Sequence, residues 1–165
     1  MPSTELLGTY LNDHLAGAAA GVELADKLAS TYGGTPFGAA VAAVAEEIKV
    51  DRETLQALME RLGIGKSPVK QATGWVFEKA TRLRFNRRLT GSDDLTRLLE
   101  TETLSLGVEG KLGMWQALKG IDGLDVELGR ADFDRLIFRA RQQREALEPY
   151  RLEAAVGAFT ASPDE

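Results

Sequence analysis

Four residues of this chain have the types and spacing from which a metal centre is built: His14, Asp51, Glu102 and Glu109. One imidazole and three carboxylates suit iron or manganese, which take mixed nitrogen and oxygen ligands. Each of the four falls where a helical pattern expects an apolar residue. His14 continues the seam of Leu7, Gly21 and Leu28, and Asp51 lies between Ile48 and Leu55. Glu102 and Glu109 sit inside the arc of Leu95, Leu98, Leu99, Leu106 and Leu112. Carboxylates buried there need partners. The last part of the chain supplies them, because Arg144 and Arg151 lie in the stripe of Phe133, Leu136, Ile137, Ala140, Leu147, Ala154 and Ala155. In an antiparallel hairpin Glu109 meets Arg144 and Glu102 meets Arg151 in one register, with the turn centred between residues 126 and 127. Two buried guanidinium–carboxylate rungs are the simplest reading. Pro149, between the arginines, loosens the second rung.

Counted from Gly33, His14 and Asp51 stand at one level. They read as a buried hydrogen-bonded pair that fixes register, with Gly17 and Gly21 admitting a close partner helix. Inward arginines would repel a cation in the same low-dielectric space. The polar core of His14, Asp51, Glu102, Glu109, Arg144 and Arg151 therefore stands ahead of the metal site. No residue is assigned a catalytic, cofactor-binding or metal-binding role, and the four-residue set is the fallback.

Other chemistries lack their parts. The chain has no cysteine, which excludes a disulfide framework, a thiol nucleophile, Cys-bound zinc and an iron–sulfur cluster. Its single histidine excludes any site needing two. The run from Gly63 to Ser67 ends like a phosphate-binding loop, but Glu60 stands where that loop's first glycine belongs, and a helix precedes it rather than a strand. No nucleophile-elbow pattern offers His14 a serine.

The elements that must position these residues are helices. Apolar residues recur at helical spacing, and alternation of period two is nearly absent. The first helix spans 4–30 and stops at Gly33 and Gly34. Thr35 and Pro36 cap and open a second helix, 36–62, which Gly63 and Gly65 end. Ser67 and Pro68 open a shorter helix to about residue 83, and 85–91 is irregular. Ser92, Asp93 and Asp94 begin a helix running to 118, as an N-cap followed by acids in the first turn. Residues 120–129 form a glycine-rich loop. The last helix spans 131–159 with an interruption at Pro149, and 160–165 is a disordered tail. Four helices of about 27 residues, some 40 Å each, make two antiparallel hairpins. A connection of about 29 residues can cross a whole bundle, which is the one-crossover arrangement of a ferritin-like all-α four-helix bundle. A five-helix array is the alternative. At 165 residues the chain is one domain, 1–165.

Three stretches carry a resemblance: Leu11–Gly17 (LNDHLAG), Glu47–Leu55 (EIKVDRETL) and Leu106–Lys111 (LGVEGK) continuing to Trp115. They resemble a group of uncharacterised bacterial all-helical proteins similar in layout to ferritin-like bundles. The resemblance implies a fold and no activity. Di-iron members of that class use Glu on two helices and Glu-x-x-His on the other two. Here Glu47 is followed three residues on by Val50, and Glu145 and Glu148 have no histidine beside them.

Charge and hydropathy bound the partners. The formal charge is −5, but residues 66–88 carry +6 and the remainder −11. A binder of anionic partners through 66–88 is one reading; the overall acidity argues against nucleic acid as a partner, and a solvated crossover resting on acidic neighbours is preferred. The apolar run from Phe37 to Ala45 is nine residues, against about 20 for a membrane span. No signal-peptide pattern opens the chain, so no membrane partner and a cytoplasmic address are expected. Leu104, Val108 and Trp115 form a second apolar face on 92–118, suited to covering the short helix or to a homodimer. The leading reading is a non-enzymatic structural or interaction module with no identified small-molecule substrate. A ferritin-like metal-carboxylate protein of oxidoreductase or storage type is second.

Overall fold

The computed structural model describes residues 4–67, 93–129 and 131–160. They form five helices and, among the described residues, no strand. These are α1 (Thr4–Thr31), α2 (Pro36–Arg61), α3 (Asp93–Lys119), the single turn α4 (Leu124–Glu127) and α5 (Phe133–Thr160). The expected short helix from residue 67, the irregular stretch 85–91, the tail beyond Thr160 and most of the basic segment 66–88 lie outside the described residues.

Local chemistry sets the ends. Gly34 takes a left-handed φ of 80°, which a side chain would strain. The Thr35 hydroxyl oxygen then accepts the Gly38 amide at 3.0 Å, capping α2 just ahead of Pro36. After α2 the chain turns at Gly63, with φ 66°. Asn12 ties it back to α1: its amide donates to the Gly65 carbonyl at 3.1 Å, and its oxygen accepts the Ser67 amide at 2.8 Å.

The expected interruption at Pro149 does not occur, and α5 is continuous through it. Proline removes one backbone hydrogen bond there, but the neighbouring turns are held elsewhere. Leu147 and Ala154 are buried in the core, and Arg97 of α3 donates to Glu153 at 3.3 Å. Packing outweighs the local defect.

One apolar cluster draws on all five helices. α1 packs on α2, and α3 on α5; α1 also meets α3, and α2 meets α5. Lys27, late in α1, bonds Glu100, early in α3, at 2.5 Å. Tyr150, late in α5, packs at a tilt against Phe37, at the start of α2, with ring centres 5.5 Å apart. Arg61, ending α2, donates to the Leu128 carbonyl at 2.5 Å, just before α5 begins. Every packed pair is thus antiparallel, and α2 and α3 run in the same direction.

Candidate functional site

On α3 the buried seam is Thr101, Leu104, Val108, Leu112, Trp115 and Leu118. Lys111 falls into its three-four spacing and is pulled inward with it. On α5 the buried residues are Phe133, Leu136, Ile137, Ala140, Gln143, Leu147 and Ala154. Lys111 from the α3 seam and Gln143 from the α5 seam both reach the polar position of α2, Asp51.

Asp51 is 2% exposed. One carboxylate oxygen accepts from Arg139 of α5. The other accepts from the Lys111 ammonium and, at 3.0 Å, from the Gln143 amide. Gln143 also accepts from Lys111 and donates to Glu47 at 3.0 Å. Burial holds the Lys111 ammonium below the ordinary lysine value; the charge of Asp51 and its hydrogen bond pull the other way, and Arg139 adds to the lowering. Two cations on one buried carboxylate tie α2, α3 and α5 together at a single level.

The paired register of α3 and α5 matches the sequence reading, but the depth does not. Arg144 donates to Glu109, and Arg151 to Glu102 at 3.2 Å. The Arg144 and Glu109 side chains are 45% and 51% exposed, so this rung lies on the surface. Glu102 and Arg151 are half-buried, and Arg151 also bonds Glu148, whose carboxyl it holds below the usual range. On α3 the expected arc is turned away from the core, whereas the α5 stripe of Phe133, Leu136, Ile137, Ala140, Leu147 and Ala154 is buried as expected, with Arg144 outside it. Leu106, taken as core, is 64% exposed, while the supposed second face of Leu104, Val108 and Trp115 is the core itself. Those three are therefore unavailable as a homodimer surface.

The His14–Asp51 pair is a second correction. Both residues line one cleft, but no hydrogen bond joins them. Asp51 is taken by α3 and α5, and the His14 ring packs edge-on against Tyr10 at 4.6 Å. Burial pushes the imidazole below its ordinary value, opposed by Asp13. Nor does the fallback metal set assemble. Glu102 and Glu109 face arginines on the α3–α5 flank, Asp51 is neutralised by two cations, and no cluster of three or more His, Asp or Glu among the described residues is arranged for an ion.

The cleft has a volume of about 460 Å³ and runs between α1 and α3 with α2 beneath. Gly17 and Gly21 line one wall, and Gly107 and Gly110 the other. A Cβ built on any of these four would meet nothing within 4 Å. Gly17 and Gly21 thus do not bring a helix close, as expected from sequence; they leave space. Leu24, Ile48, Leu55, Leu104, Met114 and Trp115 make the interior apolar, and the Asp51–Lys111 pair marks its polar end. Trp115 is fully buried, and among the described residues neither its indole N–H nor the buried Arg52 Nε has an acceptor. Sequence reasoning missed Lys111, Arg139, Gln143, and the buried Glu100 that bonds Lys27. The signal for two of them was present: Lys111 and Gln143 continue the three-four spacing of their seams.

No helix of the described residues is long and apolar enough to cross a membrane. No family model, curated protein or solved structure matches the chain.

Proposed function

We propose that the chain is a ferritin-like four-helix bundle acting as a non-catalytic binding module, which takes a small, mainly apolar molecule into the cleft between α1 and α3. The connections support the frame: two antiparallel hairpins, with α2 and α3 parallel, are the one-crossover arrangement. The observation that carries the function is the cleft. Its volume of about 460 Å³ lies within the roughly 300–1,000 Å³ typical of small-molecule sites, and apolar walls with a few convergent polar groups are their usual lining. Against catalysis stands the state of Asp51. Its oxygens already accept from Lys111, Arg139 and Gln143, so the carboxylate is committed to tying helices together.

Fluorescence tests this reading. The chain has two tryptophans, so in Trp75→Phe the signal comes from Trp115 alone. Titration with decan-1-ol should shift and saturate that emission. The pair Gly21→Leu and Gly107→Leu should abolish the response with the fold retained, because both side chains grow into open space. An emission unaffected by decan-1-ol and by decanoate, with calorimetry also silent for both, overturns the proposal.

A further inference from the structure

His14 lies on the same face of α1 as Gly17 and Gly21, and all three line the cleft. Its ring is part-buried and packs edge-on against Tyr10. Beyond that contact it is uncommitted: among the described residues neither ring nitrogen makes a hydrogen bond, and neither is sealed from solvent. Of the side chains lining the cleft, His14 is the one whose ordinary titration falls between about pH 5 and 8.

Charged and titratable groups face the cleft from each helix packed around the ring. On α1, Asp13 is adjacent in sequence but exposed, and Tyr10 stays neutral below about pH 9. On α2, the Asp51 carboxylate is taken by Lys111, Arg139 and Gln143, and Arg52 adds a positive charge. On α3, Lys111 is spent on Asp51. No buried acid of the cleft is therefore free to hold an imidazolium, and solvent in the open cleft is what hydrates one. Burial already holds the imidazole below its ordinary value, opposed by Asp13. A molecule filling the cleft displaces that solvent and leaves the charged ring beside the apolar walls of Leu24, Ile48, Leu55 and Leu104.

Resting on the binding reading above, we propose that His14 is a proton-operated release switch for the cleft: a neutral apolar ligand binds while the ring is neutral and is expelled when the imidazole takes a proton. By linkage, affinity is full above the pH at which the ring titrates and falls as pH drops through it, and bound ligand pushes that titration to lower pH. Glutamine at position 14 would keep a polar side chain on the wall and remove the switch.

The chain has one histidine, so its ring resonance in proton NMR is assigned without ambiguity. On the intact chain, saturating decan-1-ol should move the midpoint of that titration to lower pH by roughly 0.5–1. Calorimetry should show the affinity for decan-1-ol falling roughly 3- to 10-fold from pH 7.5 to pH 5.0. His14→Gln should bind decan-1-ol at pH 7.5 and lose the pH dependence, with thermal melts at both pH values confirming the fold. A midpoint that stays in place or rises on binding overturns the switch and leaves the binding reading standing, as does a loss of affinity in acid that persists in His14→Gln. Binding of decanoate without decan-1-ol also overturns the switch alone. No binding of either at pH 7.5 overturns both.

Discussion

Replacing Asp51 by Asn keeps the shape of the side chain and removes its charge. Among the described residues Asp51 is the only acid that Lys111 and Arg139 contact directly, and the side-chain exposures of Asp51, Lys111 and Arg139 are 1%, 12% and 19%. Two part-buried cations then remain with only the exposed Glu47, which reaches them through Gln143, as a counter-charge. Breaking a buried pair from one side costs roughly 3–5 kcal/mol, and two stranded cations place the change at the upper end. For a domain of this size each kcal/mol moves Tm by about 2–4 °C, so Asp51→Asn should lower Tm by roughly 6–20 °C. Converting the whole node to Asp51→Leu, Lys111→Met and Arg139→Leu removes the stranded charges with the acid. That triple variant should recover most of the loss, a coupling that independent sites do not show. Glu109→Leu and Arg144→Met form the control, because that pair is about half exposed. Their separate and joint effects should stay within about 1 kcal/mol. Denaturant melts of the full set give the answer. A cost below about 1 kcal/mol for Asp51→Asn, or a Glu109–Arg144 coupling larger than that of the Asp51 node, refutes the burial argument.

Three other outcomes follow from the same geometry. His14 has its pKa lowered from 6.5 by burial, so the unfolded chain binds the proton at higher pH than the folded one; stability should fall as pH drops through about 6.5 towards the folded value, and His14→Gln should flatten that slope in melts at pH 7.5 and 5.5. Gly17→Ala, Gly21→Ala, Gly107→Ala and Gly110→Ala should each stabilise by roughly 0.5–1 kcal/mol, since helix propensity improves and the methyl meets nothing; destabilisation in thermal melts would show that these glycines serve close helix packing. Gly38→Ala should destabilise well beyond that range, because its Cβ would lie 2.0 Å from the Tyr32 carbonyl oxygen, a backbone atom that cannot step aside without moving the α1–α2 turn.

The helix ends were legible because their causes are local. Thr35 and Pro36 sit beside the residues they cap, and Gly34 and Gly63 adopt left-handed φ where the sequence placed stops. The α3–α5 register was legible too, because Glu102 and Glu109 repeat at the same interval as Arg144 and Arg151. What the spacing could not fix was rotation. α3 carries leucines around much of its circumference, and a shift of one residue turns a helix by about 100°. On α3 that error put Glu109 in the place of Lys111, while the α5 stripe was read correctly and only its polar member, Gln143, was passed over for Arg144. The burial of Asp51 was readable from Ile48 and Leu55 on either side, but its partners were not. Lys111 and Arg139 come from the second hairpin, and the angle between hairpins leaves no trace in either one's periodicity.

The same rotation explains why the cleft was invisible as a cleft. A bundle stabilised only by packing would place Ala or Leu where α1 and α3 carry Gly17, Gly21, Gly107 and Gly110, since each helical glycine costs roughly 0.5–1 kcal/mol relative to Ala. Close approach of the two backbones would offset that cost, but nothing lies within 4 Å of where their Cβ atoms would be. The destabilisation is concentrated on facing walls, directly above the one level where three helices are clamped through Asp51. The clamp holds α2, α3 and α5 together without α1, so the α1–α3 interface can stay open while the rest of the bundle remains packed. Open space and a rigid polar end occur together at this place. A molecule filling the cleft would recover in binding what the glycines forgo in folding.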